Sequence, residues 1–274
     1  LTRSPWLTSQ VAAHSPALHF QNVSVEEGLS QRTAWFVHQD RQGFLWSGTQ
    51  DGLNRWDGRD FLTITHDSRD PESLPHVEVR CLAEDATGAL WLGTPKCIAR
   101  LSPETFKVDR PYSRSEEAAR RSGTDVRALL IESDSYLWIA TSDGGVDRLE
   151  MSTGVLNRVT AGAGEPLLGG AFSLAHEKEG GLWIGLEEGI ALLPAGASSA
   201  LRLLSDQITG QVDALYQEES GSLWIGTDEG LFKLDQDGLG PDTPNPDEPA
   251  LTVFREDPLR PWDWLSSSKS RDIE

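Results

Sequence analysis

Basic residues are scarce in this sequence: 24 Lys and Arg stand against 43 Asp and Glu, a formal net charge of −19 over 274 residues. That balance argues against nucleic-acid binding, because phosphate contacts need clustered cations. An acidic surface instead keeps a chain soluble. Long apolar runs are missing as well. None reaches the roughly 18 residues that a membrane span requires, so no direct membrane insertion of this stretch is expected.

Two cysteines are too few for a disulfide framework. Cys81 falls on a first strand and Cys97 at the start of a third strand of the same repeat. Strands two apart in a sheet lie about 9–10 Å from each other, beyond the roughly 7 Å limit between bridged Cα atoms, so two free thiols are expected. The six histidines (14, 19, 38, 66, 76 and 176) show no metal-ligand spacing and no H-E-x-x-H. There is no G-x-S-x-G nucleophile phrase and no phosphate-cradling loop. The sequence therefore points to a non-catalytic protein without cofactor or metal. It shows no initiating Met and no signal peptide.

What the sequence does hold is one short phrase written five times: FLWSGT (44–49), ALWLGT (89–94), YLWIAT (136–141), GLWIGL (181–186) and SLWIGT (222–227). The tryptophans Trp46, Trp91, Trp138, Trp183 and Trp224 lie 45, 47, 45 and 41 residues apart. A period in the forties with a tryptophan-bearing strand per unit predicts a β-propeller of four-stranded blades.

Leucine precedes each tryptophan, and an acidic residue stands six positions before it (Asp40, Asp85, Glu132, Glu177, Glu218). Glycine stands three before it in four units, with Ser135 in the third. This reads as a hairpin turn in which glycine supplies positive φ and the carboxylate bonds nearby amides. An apolar residue nine positions before each tryptophan (Val37, Leu82, Leu129, Leu174, Leu215) marks a first strand ahead of that turn. Two residues beyond each tryptophan comes Gly48, Gly93, Ala140, Gly185 or Gly226, expected to leave room for the indole of a neighbouring blade. Each indole should bury roughly 150–250 Å², and truncation to alanine should cost roughly 3–5 kcal/mol.

The all-β reading yields five complete blades, at about 31–66, 77–111, 124–160, 170–204 and 211–254. Residues 265–274 resemble the lead-in to the second unit and are expected to start a sixth blade of a larger propeller. Residues 18–30 read as a latch strand and 1–17 as a disordered lead. The acidic, proline-rich stretch 235–249 reads as a mobile loop, since its aspartates miss EF-hand spacing.

Positions that vary between units are the candidates for function. Eleven residues before each tryptophan stand Trp35, Arg80, Arg127, Phe172 and Asp213. If first strands line the central channel, these side chains ring its mouth, with Arg271 as a sixth. Arginines beside aromatics suit a carbohydrate or another small anionic ligand. Asp51, Asp143, Glu188 and Asp228 occupy turns on the same face, where hairpin chemistry accounts for them. Unpaired sheet edges make a homodimer through propeller edges a further expectation.

The phrase GLSQRTAWFVHQDRQGFLWSGTQDGLNRWDGRDF (28–61) and its echoes resemble the two-component regulator propeller repeats. The D-x-x-G-x-x-W spacing also resembles the sialidase Asp-box, a structural turn. The first resemblance covers about residues 18–274. Departures are Ser135, Ala140, and Lys96-Cys97 in place of the usual Asp-Gly. It implies an extracytoplasmic, periplasmic sensory part of a hybrid histidine kinase or a membrane diguanylate cyclase. A pure protein-interaction scaffold is the alternative; a propeller lyase or glycosidase is less favoured.

Overall fold

The computed structural model describes residues 23–109, 125–161, 169–203, 207–235 and 251–254. Within them the chain forms a β-propeller of five four-stranded antiparallel blades. Blade 1 comprises β1 (Ala34–Gln39), β2 (Leu45–Thr49), β3 (Gly52–Trp56) and β4 (Phe61–Ile64). Blade 2 comprises β5 (Cys81–Glu84), β6 (Leu90–Gly93), β7 (Ile98–Leu101) and β8 (Val108–Asp109). Blade 3 comprises β9 (Val126–Ser133), β10 (Tyr136–Thr141), β11 (Gly145–Glu150) and β12 (Leu156–Arg158). Blade 4 comprises β13 (Ala171–His176), β14 (Leu182–Leu186), β15 (Ile190–Leu193) and β16 (Leu201–Leu203). Blade 5 comprises β17 (Val212–Gln217), β18 (Leu223–Thr227), β19 (Gly230–Leu234) and β20 (Leu251–Phe254). In each blade the strands follow chain order across the sheet. First strands of consecutive blades neighbour one another, β1 with β5, β5 with β9, β9 with β13 and β13 with β17, so they form the innermost layer.

The alternation of side chains along a strand gives every blade two faces. The trailing face carries the indole and the small residue two beyond it. The leading face carries the leucine before the indole and the apolar residue after it. The trailing faces of blades 1 to 4 each meet the leading face of the next blade. Trp46 joins Leu90, Leu92 and Val79 in one core, and Trp91 joins Leu137, Ile139 and Val126 in the next. Trp138 packs with Leu182 and Ile184, and Trp183 with Leu223 and Ile225.

The turn carboxylate has a second task beyond its amides. Asp40 Oδ1 accepts from the Gln42 and Phe44 amides at 2.9 Å each, while Oδ2 accepts from Trp46 Nε1 at 2.7 Å. Asp85 bonds the Trp91 indole at 3.0 Å and Glu218 the Trp224 indole at 2.6 Å. In these three units the acid six positions upstream thus bonds the indole of the core tryptophan as well. Gly43, Gly88, Gly180 and Gly221 adopt the positive φ that the turn needs. The third unit dispenses with it. There β9 runs to Ser133 and β10 starts at Tyr136, leaving only Asp134 and Ser135 in the turn.

A threonine staples the second turn. Thr49 Oγ1 accepts from the Asp51 amide and donates to the Gly52 carbonyl; Thr227 repeats this with Glu229 and Gly230. Thr94 does the same around Lys96 and Cys97, so the departure from Asp-Gly in the second unit keeps the turn.

Three expectations change. The small residue after each indole does not accommodate a neighbouring indole. A Cβ on Gly48 would lie 2.2 Å from the Val79 carbonyl oxygen. On Gly93 it would lie 2.7 Å from a Val126 methyl, and on Gly185 2.6 Å from a Val212 methyl. The space is taken jointly by the cross-strand residue of the same blade, Phe36, Cys81 or Ser173, and by the residue that leads into the next blade's first strand. Second, residues 23–30, expected within a latch strand, form instead a 3₁₀ turn over Val25–Glu27. Ser24 and Glu27 close a reciprocal capping box, and Gly28 ends the turn at φ 109°. Third, the paired arginines described below alter the charge expected at the channel mouth. The expected disordered lead, acidic loop 235–249 and sixth-blade start, with Arg271, lie almost wholly outside the described residues. Cys81 and Cys97 are free thiols.

Candidate functional site

The innermost strands carry the row of varying side chains, and the structure links four of its five members. The Arg80 guanidinium lies 6.0 Å from the Trp35 ring and the Arg127 guanidinium 5.5 Å from the Phe172 ring. Between the two arginines sits Asp125, which pairs with Arg80 Nη1 and accepts from Arg127 Nε at 3.2 Å. Glu78 takes Arg80 Nε at 2.8 Å. Ser142 Oγ donates to Asp125 at 2.6 Å, and the Asp125 amide donates to Asp143 at 3.2 Å. The result is a continuous strip across blades 1 to 4, in the order Trp35, Arg80, Asp125, Arg127, Phe172. Asp213 stands apart from that strip, exposed on blade 5 and bonded to the Gln211 amide group.

Two arginines with Glu78 and Asp125 make a strip of no net charge. Burial alone would lower the Arg80 pKa, but the bond from Glu78 and the charge of Asp125 outweigh it and raise it. The strip is therefore less suited to a bare anion than the arginines alone suggested. It offers an exposed indole (Trp35, 42% exposed), a phenyl ring and fixed donors and acceptors. Asp125 and Glu78 complete it and were not among the sequence candidates. Their signal was position, since each lies two residues before an arginine. Of the turn acids, Asp143 and Asp228 hold the amides that open the first strands, Asp125 and Gln211.

Open clefts also lie at the outer turns. One of about 470 Å³ is floored by Asp85, Trp91 and Arg100 between blades 2 and 3. These three groups already satisfy each other: Asp85 accepts from Trp91 Nε1 and from Arg100 Nη2 at 3.1 Å. Burial would raise the Asp85 pKa, but hydrogen bonds from Thr87, Trp91 and Arg100 prevail and hold it below the ordinary carboxylate value. A floor whose polar atoms are spent on one another is scaffold. Among the described residues no group of three or more His, Cys, Asp or Glu could hold a metal ion. Among them, too, no helix is long and apolar enough to cross a membrane.

Residues 73–96, the centre of the second unit, match the family model described as two component regulator propeller. One repeat of the chain therefore matches that family model. The chain is also similar to the curated histidine kinase P4 of Formosa agariphila, 33% identical over 69 residues, which are 25% of this chain and 5% of that protein. Among solved structures, the fold is similar to the extracellular domain of BT4673 from B. thetaiotaomicron, assigned to a one component system. The TM-score is 0.68 at 19% identity, covering 86% of this chain and 33% of that one. The extracellular domain of BT3049 from the same organism, assigned to a hybrid two component system, gives 0.57 at 19%, covering 86% and 36%. The chain thus spans about a third of those domains and a twentieth of the kinase. A streptogramin B lyase also shares the fold, with a TM-score of 0.59 at 10% identity over 81% of this chain and 68% of that one. At such identities the likeness establishes the propeller, and the propeller alone does not decide between sensor and enzyme.

Proposed function

We propose that this propeller is a non-catalytic, extracytoplasmic ligand-binding part of a bacterial signal-transduction protein, facing the periplasm and recognising a carbohydrate on the innermost strands. The observation that carries the reading is the Trp35–Arg80–Asp125–Arg127–Phe172 strip. Aromatic faces at its two ends suit the apolar faces of sugar rings. The guanidinium and carboxylate groups between them are fixed donors and acceptors for hydroxyls. Within the strip both carboxylates are engaged by arginines, and Asp125, which accepts from the Ser142 hydroxyl, is held by two of them, an arrangement set for binding rather than for proton transfer. Extracellular domains of similar fold, one from a hybrid two component system and one from a one component system, support the placement.

The test is a thermal-shift screen of neutral and acidic oligosaccharides against the 274-residue chain. A saturable rise in Tm is expected, lost in Trp35→Ala and Phe172→Ala while the ligand-free Tm of Trp35→Ala stays unchanged. A rise that survives both substitutions would remove the site from this strip. A response to acidic sugars alone would replace stacking with charge as the basis of recognition.

A further inference from the structure

Two residues before each member of the varying row stands a second varying row: Thr33, Glu78, Asp125, Gly170 and Gln211. In extended chain, residues two apart share a face, so each of these neighbours its partner in the first row. The two rows are complementary. Glu78 accepts from Arg80 and Asp125 from Arg127, and in blade 5 the roles reverse, with the Gln211 amide group donating to Asp213. The aromatic members follow uncharged residues, Thr33 before Trp35 and Gly170 before Phe172.

Contacts between blades make the two arginines unequal. Arg80 reaches two acids: its Nε donates to Glu78 at 2.8 Å and its Nη1 to Asp125 of the next blade. One blade further on, the residue equivalent to Asp125 is Gly170, which offers Arg127 no side chain. A Cβ there would lie 2.3 Å from the Ser142 carbonyl oxygen and 3.0 Å from the Phe172 ring, so no acid fits while Phe172 keeps its place. Arg127 is left with one bond, from Nε to Asp125 at 3.2 Å. Among the described residues its Nη1 and Nη2 have no hydrogen-bond partner. Its side chain is 30% exposed, against 18% for Arg80. One arginine is saturated; the other is not.

Asp125 also fixes the direction of the open group. Its oxygens accept from Arg80 Nη1, Arg127 Nε and Ser142 Oγ, so the carboxylate cannot turn without breaking these bonds. With Nε tied down, the Arg127 guanidinium presents Nη1 and Nη2 as a parallel pair of donors, and its centre lies 5.5 Å from the Phe172 ring. The strip remains neutral in total, but both acids gather around Arg80 and the open cation stands at the Phe172 end.

Resting on the carbohydrate reading above, we propose that the ligand carries a hexuronate unit whose carboxylate is clamped end-on by Arg127 Nη1 and Nη2 while its ring lies against Phe172. A planar carboxylate matches a guanidinium edge with two parallel charge-assisted bonds. Arg80, Glu78 and Asp125 are positioning residues that hold the clamp. The rest of the ligand extends toward Trp35 as a neutral sugar, because a second carboxylate there would face Glu78 and Asp125, and like charges brought together oppose binding. The strip thereby has a direction, acidic unit on blades 3 and 4 and neutral unit on blades 1 and 2.

The experiment probes the 274-residue chain on an array of hexuronate-containing oligosaccharides, each printed beside its neutral methyl ester, with Kd measured by titration for the pairs that bind. The acid is expected to bind roughly tenfold or more tighter than its ester. Arg127→Gln is expected to bring that ratio to about one while the ester keeps its affinity, which shows that the variant is folded. Arg80→Gln removes the same charge and is expected to retain most of the preference. Esters bound as tightly as the acids keep the carbohydrate reading and overturn this inference. An equal loss of preference in both variants would trace it to charge in general and overturn the clamp. An array on which nothing binds overturns the carbohydrate reading itself, and this inference with it.

Discussion

The repeated unit is built around a carboxylate, an indole and a cation. Trp46, Trp91, Trp138 and Trp224 pair across strands with Arg55, Arg100, Arg148 and Lys233, whose charges lie 5.4–5.9 Å from the rings. Opposite Trp183 stands Leu192. In that blade Glu177 bonds the Glu179 and Gly181 amides, and Trp183 Nε1 is buried with no hydrogen-bond partner. Losing the cation thus goes with losing the indole bond. The acids were plain in the sequence because their offset never changes. The cations were not, because recognising them requires the cross-strand register. Replacing an indole by a phenyl ring separates the two contributions. Trp46→Phe and Trp183→Phe remove similar volume from similar cores, but only the first deprives a buried carboxylate oxygen of its donor. Leaving such a group unsatisfied costs about 1–3 kcal/mol. Chemical denaturation should therefore find Trp46→Phe the more destabilising by that margin; equal losses would mean the acid–indole bond contributes nothing net.

At the scale of strands and turns, existence was readable and fit was not. Apolar residues nine before and leucine one before each tryptophan announce two strands and the glycine turn between them, so the blade follows from spacing. The 3₁₀ turn at Val25–Glu27 escaped notice although Ser24 and Glu27 spell a capping box, because a flanking segment next to a repeat invites reading as another strand. The glycine after the indole was located correctly and explained wrongly, since sequence shows that a small residue is needed but not which neighbour comes close. Gly93→Ala tests the revised reason. Its Cβ would meet Cys81 Sγ at 2.3 Å within the sheet and Val126 at 2.7 Å from the next blade. Overpacking of this kind costs roughly 1–3 kcal/mol. Gly93→Ala combined with Val126→Ala should recover part of the loss. If the double variant is no more stable than the sum of the singles predicts, the blade 3 contact does not set the requirement.

Across the whole molecule, architecture was legible and the site only half so. A period repeated five times leaves little freedom in the fold, whereas a binding strip consists of the positions that escape the repeat. Trp35, Arg80, Arg127 and Phe172 stood out for that reason, but Asp125 and Glu78, which cancel the arginine charges, become visible only when strands from different blades meet. The chain of interfaces also predicts where stability resides. Blades 2, 3 and 4 are packed on both faces, while blades 1 and 5 each present one uncovered face. In a repeat architecture, stability is approximately a sum of unit and nearest-neighbour terms, and amide exchange reports the free energy of each local opening. The 274-residue chain should exchange β17 to β19 and β1 to β3 first and β9 to β11 last. Uniform exchange would mean that the five blades open as one unit and that the outer faces are no weaker than the interfaces between them.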